Sequence, residues 1–173
     1  MRSGLRLSKD GATAVMNVAT SNRPADPWVA DAQLSAPRRV IESNPQLAAD
    51  ALARTELIRY LDADGAPQWG VLYHPTNGAA PAPTIFLVYE SFFDDTFDAV
   101  ANLLATRGYA VVKPSVAFET GYPGEAWLKG VTAAANHLIS RGIADSARLG
   151  VHGTSYGGYA TNLLITQTKR FKA

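Results

Sequence analysis

The sequence predicts an α/β fold with a parallel sheet, and three observations carry that expectation. Residues 84–89 are an unbroken apolar run, the pattern of a strand covered on both faces, and 110–116 read as a second buried strand. Helical periodicity lies between and after them: Phe97, Val100, Ala101 and Leu104 share one face, as do Trp127, Val131, Ala134 and Leu138. Finally, Gly153-Thr154-Ser155-Tyr156-Gly157 falls directly after a strand pattern and directly before a helix pattern.

That last stretch is the Gly-x-Ser-x-Gly arrangement of a nucleophile elbow, the turn that lifts a serine above an α/β-hydrolase sheet. Gly153 and Gly157 are expected because side chains beside Ser155 would collide where strand reverses into helix. The turn aims the backbone N–H of Tyr156 at a developing oxyanion, and the following helix points its positive end at the site. The bland alternative is a Gly/Ser turn without chemistry, and the strand-to-helix context favours the catalytic reading.

Composition excludes several classes. The 173 residues carry 16 basic and 15 acidic side chains for a net charge of +1, with no basic run to recruit nucleic acid or an anionic membrane. No cysteine is present, so thiol catalysis, disulfides and cysteine-ligated metal are ruled out. No apolar run approaches the roughly twenty residues of a membrane span. Met1-Arg2-Ser3 is not followed by the apolar run of a secretory signal. The compartment stays open: cytoplasmic by default, secreted or periplasmic if Met1 is not the natural start.

Taken in order, residues 1–47 read as a β-rich segment and linker, with short strands at 12–19 and 28–33 around a Pro- and Asn-rich turn. Two such strands cannot bury a face alone. Residues 48–173 read as a partial α/β-hydrolase domain. A hairpin is expected from 55–61 and 68–74 around Asp62-Ala63-Asp64-Gly65. After a Pro- and Gly-rich loop come the strand at 84–89, a helix capped by Thr96 and ending at Gly108, and the strand at 110–116. A longer helix opens at Gly121-Tyr122-Pro123-Gly124 and closes at Gly142; Asp145-Ser146-Ala147-Arg148 then turns into the strand at 149–153. A helix at 157–168 follows Ser155, and residues 169–173 begin another strand.

A serine nucleophile needs a base and the base an orienting acid, which in this fold follow the serine in chain order. The chain has three histidines. His74 is expected at the wrong edge of the sheet, His137 within a helix, and His152 as a packed or backbone-bonded strand residue. Asp145 is a turn residue at the far edge. No residue here is expected to supply the base, so the triad acid and histidine are expected beyond Ala173. Tyr89, at the end of its strand, is a candidate second oxyanion donor through its hydroxyl, with a core tyrosine as the alternative. Glu90 is a candidate for the cationic end of a substrate; Asp94, Asp95 and Glu119 read as caps or solvated charges. The chemistry calls for no metal or organic cofactor, and no ligand cluster suggests one.

With these residues in place, the chain from about residue 35 resembles the prolyl oligopeptidase family of serine peptidases, near its dipeptidyl-peptidase and acylaminoacyl-peptidase-like branches. Gly70-Val71-Leu72-Tyr73-His74-Pro75, Phe86-Leu87-Val88-Tyr89 and Ala105-Thr106-Arg107-Gly108-Tyr109-Ala110 carry the resemblance, with Arg148-Leu149-Gly150-Val151-His152-Gly153-Thr154-Ser155-Tyr156-Gly157-Gly158-Tyr159. The second glycine, Gly158, is more typical of this family than of general esterases. The resemblance implies a β-propeller ahead of the hydrolase domain, with residues 1 to about 45 as its last strands. It also implies Ser155 as nucleophile, oxyanion donors from Tyr156 and Tyr89, and a peptide substrate. The chain departs from the family at Glu90-Ser91-Phe92-Phe93-Asp94-Asp95, where many members carry a Gly-Gly-Pro-like turn. An esterase on the same fold and a non-catalytic remnant that binds or self-associates are the alternatives. Self-association is expected through the apolar edge of the strand at 149–153.

Overall fold

The computed structural model describes residues 2–47, 52–90, 96–118 and 120–173. The chain divides into two compact units, one built on the strands before residue 47 together with residues 96–99, and one comprising residues 53–90 and 100–173.

The first unit is a four-stranded antiparallel sheet in the order β1-β2-β3-β4, comprising Arg2–Leu7, Thr13–Thr20, Arg23–Asp31 and Arg38–Arg39. Two strands were expected here. The third begins at Arg23, inside the segment read as a turn from its prolines. Pro27 is tolerated because its carbonyl side faces β4, where it accepts a bond from Val40 N–H at 2.9 Å; no ladder donor is missing on the β2 side. Ala14, Met16 and Ala30 form this unit's small core, with Val18, Trp28 and Leu34 packed on it.

Asp26 ties the end of this sheet together. Its carboxylate accepts the Ser43 N–H at 2.8 Å and faces the Arg39 guanidinium at 3.3 Å. The Ser43 N–H, then Arg39, hold the carboxyl below its ordinary value against the opposing effect of burial. A depressed folded pKa gives stability that is present above the unfolded value of 3.8 and is lost as pH falls through the folded one. Acid titration followed by Trp28 fluorescence is therefore expected to show loosening of β3–β4 only below about pH 4. Asp26→Asn is expected to flatten that acid limb; an unchanged limb would remove Asp26 as its cause.

The second unit holds a five-stranded sheet in the order β5-β6-β8-β7-β9. The strands are Thr55–Leu61, Pro67–Tyr73, Ala82–Leu87 (β7), Ala110–Pro114 (β8) and Ala144–His152 (β9). The β5–β6 hairpin and the β6–β8 pair are antiparallel, whereas β8–β7 and β7–β9 are parallel. Helices α1 (Ala99–Thr106), α2 (Pro123–Ser140) and α3 (Tyr156–Gln167) complete it. Successive residues of a strand face opposite sides, and the core obeys that rule. Leu72, Phe86, Val112, Leu149 and Val151 pack with Trp127, Val131, Leu138 and Leu164 of α2 and α3. Val71, Tyr73 and Val111 pack instead with Ala101 and Ala105 of α1.

Strand β7 spans Ala82–Leu87 where 84–89 was expected and β8 ends at Pro114 rather than 116; three further differences bear on the site. Helix α1 starts at Ala99, three residues after the Thr96 expected to cap it. Strand β9 starts at Ala144, so Asp145-Ser146-Ala147-Arg148 lies within the strand rather than before it. The turn chemistry is nonetheless real: Asp145 Oδ1 accepts the Ala147 N–H at 2.8 Å, and the pairing jumps from Ala82↔Ala144 to Thr84↔Leu149, a bulge that absorbs the extra residues. The third correction concerns the edge of β9, which is not bare. Lys172 N–H donates to Leu149 O and Val151 N–H to Ala173 O, each at 2.8 Å, and the Phe171 ring meets Phe86 edge-on.

Candidate active site

Parallel strands β7 and β9 end side by side, with Leu87 paired to His152. Beyond that pair, Val88 N–H donates to His152 O at 2.9 Å, so the chain after β7 stays attached to the end of β9. Here the chain leaves β9 and enters α3 through Gly153, Thr154 and Ser155.

Ser155 is the N-cap of α3, with φ 58° and ψ −120°. A residue with a Cβ rarely adopts that conformation, and holding it costs on the order of 1–3 kcal/mol. The neighbours show why the turn is so tight. A Cβ on Gly153 would lie 2.3 Å from Gly157 O, and one on Gly157 would lie 2.2 Å from Val88 O. Both distances are far inside contact, so only glycine fits either position. Gly158 is different: a Cβ there would meet Gly153 O at 3.5 Å, an ordinary contact. The first turn of α3 thus rests directly on the backbone after β7. The turn's internal bonds come from the N–H groups of Gly157, Gly158 and Tyr159, and Tyr156 N–H precedes them beside the exposed Ser155 side chain.

An aromatic cluster surrounds this junction. The Trp127 ring, fully buried on α2, lies 5.1 Å from Tyr156, 5.7 Å from Tyr159 and 5.3 Å from Phe118, centroid to centroid. Its Nε1–H donates to the carbonyl of Tyr89 at 2.9 Å. Tyr89 follows β7, partly exposed, and its Cδ2 is one of the atoms nearest to the position of a Gly157 Cβ. Glu90 is exposed at the next position. Asp94, Asp95 and Glu119 lie outside the described residues.

Among the described residues none of the three histidines is hydrogen-bonded to Ser155, and only His152 stands at its edge of the sheet. Tyr73 pairs with Val111 at the start of β8, so His74 stands at the edge where the parallel strands begin, opposite Ser155. Its Nε2 meets Glu56 Oε2 at 2.9 Å, and Arg141 meets Glu56 Oε1 at 2.8 Å. Burial pushes the Glu56 carboxyl up, but these two partners outweigh it and hold it below the usual value. His137 is in the last turn of α2, where burial and then Arg141 lower its pKa. His152 is exposed rather than packed, because the final β9 position turns its side chain off the core face. Asp145 sits at the start of β9, with its carboxyl held below the usual value by the Ala147 N–H and then Arg148.

The fold and this junction define a mixed α/β protein in which a strained serine sits between a buried parallel strand and a helix. The sequence model of the prolyl oligopeptidase family matches residues 95–173, and that part of the chain belongs to this family. An uncharacterised peptidase of Bacillus subtilis (strain 168), YuxL, is 32% identical over 136 residues, 68% of this chain. The chain spans only 20% of that relative's length. Among solved structures, a Mycobacterium tuberculosis puromycin-hydrolyzing peptidase superposes with a TM-score of 0.79 at 26% identity, over 93% of this chain and 28% of that one. Acylaminoacyl peptidase of Pyrococcus horikoshii gives 0.79 at 22% identity, over 99% of this chain and 30% of that one, and there the likeness is one of fold.

Trp127 is the residue that sequence reasoning undervalued. Its spacing on α2 gave it a place in the core. Nothing in the sequence signals that its indole N–H reaches a carbonyl 38 residues away.

Proposed function

We propose that the chain carries the nucleophile of a serine peptidase of the prolyl oligopeptidase family, with Ser155 as that nucleophile. The observation that carries this reading is the Ser155 backbone, held at φ 58° between two glycines that admit no side chain. Strain of this kind persists only where the surroundings impose it, and it is concentrated at functional positions. In this reading the junction is a nucleophile elbow and the five-stranded sheet belongs to an α/β-hydrolase catalytic domain spanning residues 48–173. Residues 1–47 are then the end of a β-propeller and its linker.

In this reading the chemistry is acyl transfer through Ser155. Ser155 Oγ attacks the carbonyl of a peptide bond, and the negative charge that develops on the carbonyl oxygen is met by Tyr156 N–H and the Tyr89 hydroxyl. Collapse of the tetrahedral species expels the amine and leaves an acyl-enzyme that water hydrolyses. Deprotonation of Oγ requires a base with an orienting acid, and both are assigned to chain outside these 173 residues. Glu90, exposed one residue after Tyr89, is assigned in this reading to a cationic substrate end.

A fluorophosphonate probe on the full-length protein tests the assignment. Peptide mapping is expected to find the adduct on Ser155 alone. An adduct on another serine, or no adduct from a preparation that hydrolyses peptides, would overturn it.

A further inference from the structure

We propose that Trp127 is a positioning residue that holds the two oxyanion donors in register with each other. This inference rests on the assignment of Ser155, Tyr156 and Tyr89 above. The two donors come from separate parts of the chain, Tyr89 after β7 and Tyr156 at the start of α3. Their relative placement must be fixed to a fraction of an ångström, because donors work only when 2.7–3.1 Å from the place the oxyanion will occupy.

One indole touches both. Its Nε1–H bonds the Tyr89 carbonyl at 2.9 Å, fixing the backbone from which the tyrosine side chain projects. Its ring meets that of Tyr156, the residue whose N–H is the other donor, at 5.1 Å and a tilt of 60°. Tyr159, one turn further along α3, meets the indole edge-on at 5.7 Å and lies 5.8 Å from the Tyr156 ring, so the three rings pack against one another. The Val88–His152 bond anchors the chain just before Tyr89 to β9, and the Trp127 bond anchors Tyr89 itself to α2. The donor end of the bond is buried: Trp127 is 0% exposed, whereas Tyr89 is at the surface.

Because the oxyanion exists only in the transition state, loosening this brace lowers turnover rather than substrate affinity. A displacement near 1 Å is enough for about a hundredfold effect. Two variants of the full-length protein separate this from a packing role. Trp127→Phe keeps an aromatic ring but loses the donor. Replacement of Trp127 by 3-(3-benzothienyl)alanine keeps the bicyclic shape and puts sulfur where the N–H was. With a peptide p-nitroanilide that the wild-type protein cleaves, both variants are expected to lose about 10- to 100-fold in kcat, with KM within about twofold. A peptidyl trifluoromethyl ketone, whose hemiketal oxygen occupies the oxyanion site, is expected to bind more weakly by the same factor. The benzothienyl variant is expected to melt within a few degrees of wild type.

Unchanged kcat in the benzothienyl variant would overturn the proposal. So would a loss of kcat without weaker ketone binding, or a raised KM at constant kcat. Ser155→Ala, run alongside, keeps the two levels apart. Activity surviving in Ser155→Ala refutes the nucleophile and this inference together. A dead Ser155→Ala with unaffected Trp127 variants refutes the positioning role alone.

Discussion

Ser155→Ala in the full-length protein is expected to reduce peptide hydrolysis by at least about 10³-fold while leaving the fold intact. Removing a serine nucleophile leaves only the residual catalysis of oxyanion donors and binding, so the loss is orders of magnitude. The conformational strain makes a second, independent prediction. Alanine keeps the Cβ that makes φ 58°, ψ −120° unfavourable, so Ser155→Ala should change stability little. Ser155→Gly removes that Cβ, and the mirror-image backbone is open to glycine. It is expected to be equally inactive yet more stable, by about 1 kcal/mol in denaturant titrations. The pair therefore distinguishes a serine held in strain for its chemistry from a serine that merely fills a turn. Equal stability of the glycine and alanine variants would show that the turn stores no strain at Ser155.

Much of this was legible in the sequence because local rules and tertiary demands agree there. The apolar run at 84–89 gave β7, buried on one face and half-buried on the other, and Ala110, Val111 and Val112, buried in succession, gave β8. The Asp62 turn gave the β5–β6 hairpin, because Asp62 Oδ1 accepts the N–H groups of Asp64 and Ala66 and closes it locally. Gly153 and Gly157 flagged the strand-to-helix reversal for the steric reason the structure displays. What could not be read depends on partners distant in sequence. The extent of β3 through Pro27 is set by β2 and β4, and the start of β9 by its bulged pairing with β7. The exposure of His152 follows from which face α2 and α3 cover. The Trp127–Tyr89 bond joins a helix to a strand end that no short window contains together.

The three glycines around Ser155 look alike in sequence, but the structure separates them, and the second large effect follows from that separation. Gly157→Ala would place a methyl group 2.2 Å from Val88 O, a backbone atom anchored on both sides. Val88 N–H is bonded to His152, and the next carbonyl is held by Trp127. Neither partner can yield cheaply, so α3 must lift away from β7 or the ladder at Leu87–His152 must break. Overpacking against flexible side chains costs about 1–3 kcal/mol, and a rigid backbone contact puts this variant at or beyond the top of that range. Gly153→Ala, 2.3 Å from Gly157 O, should behave the same way. Gly158→Ala meets nothing among the described residues closer than 3.5 Å and replaces glycine inside a helix. It is expected to be neutral or to stabilise by up to about 1 kcal/mol. Denaturant unfolding of the three variants decides the matter: a Gly157→Ala protein within about 0.5 kcal/mol of wild type would mean that α3 does not rest on Val88. Gly158→Ala adds a test of function, because a stable Gly158→Ala protein with impaired peptide hydrolysis would place the demand for glycine there in the substrate rather than in the fold.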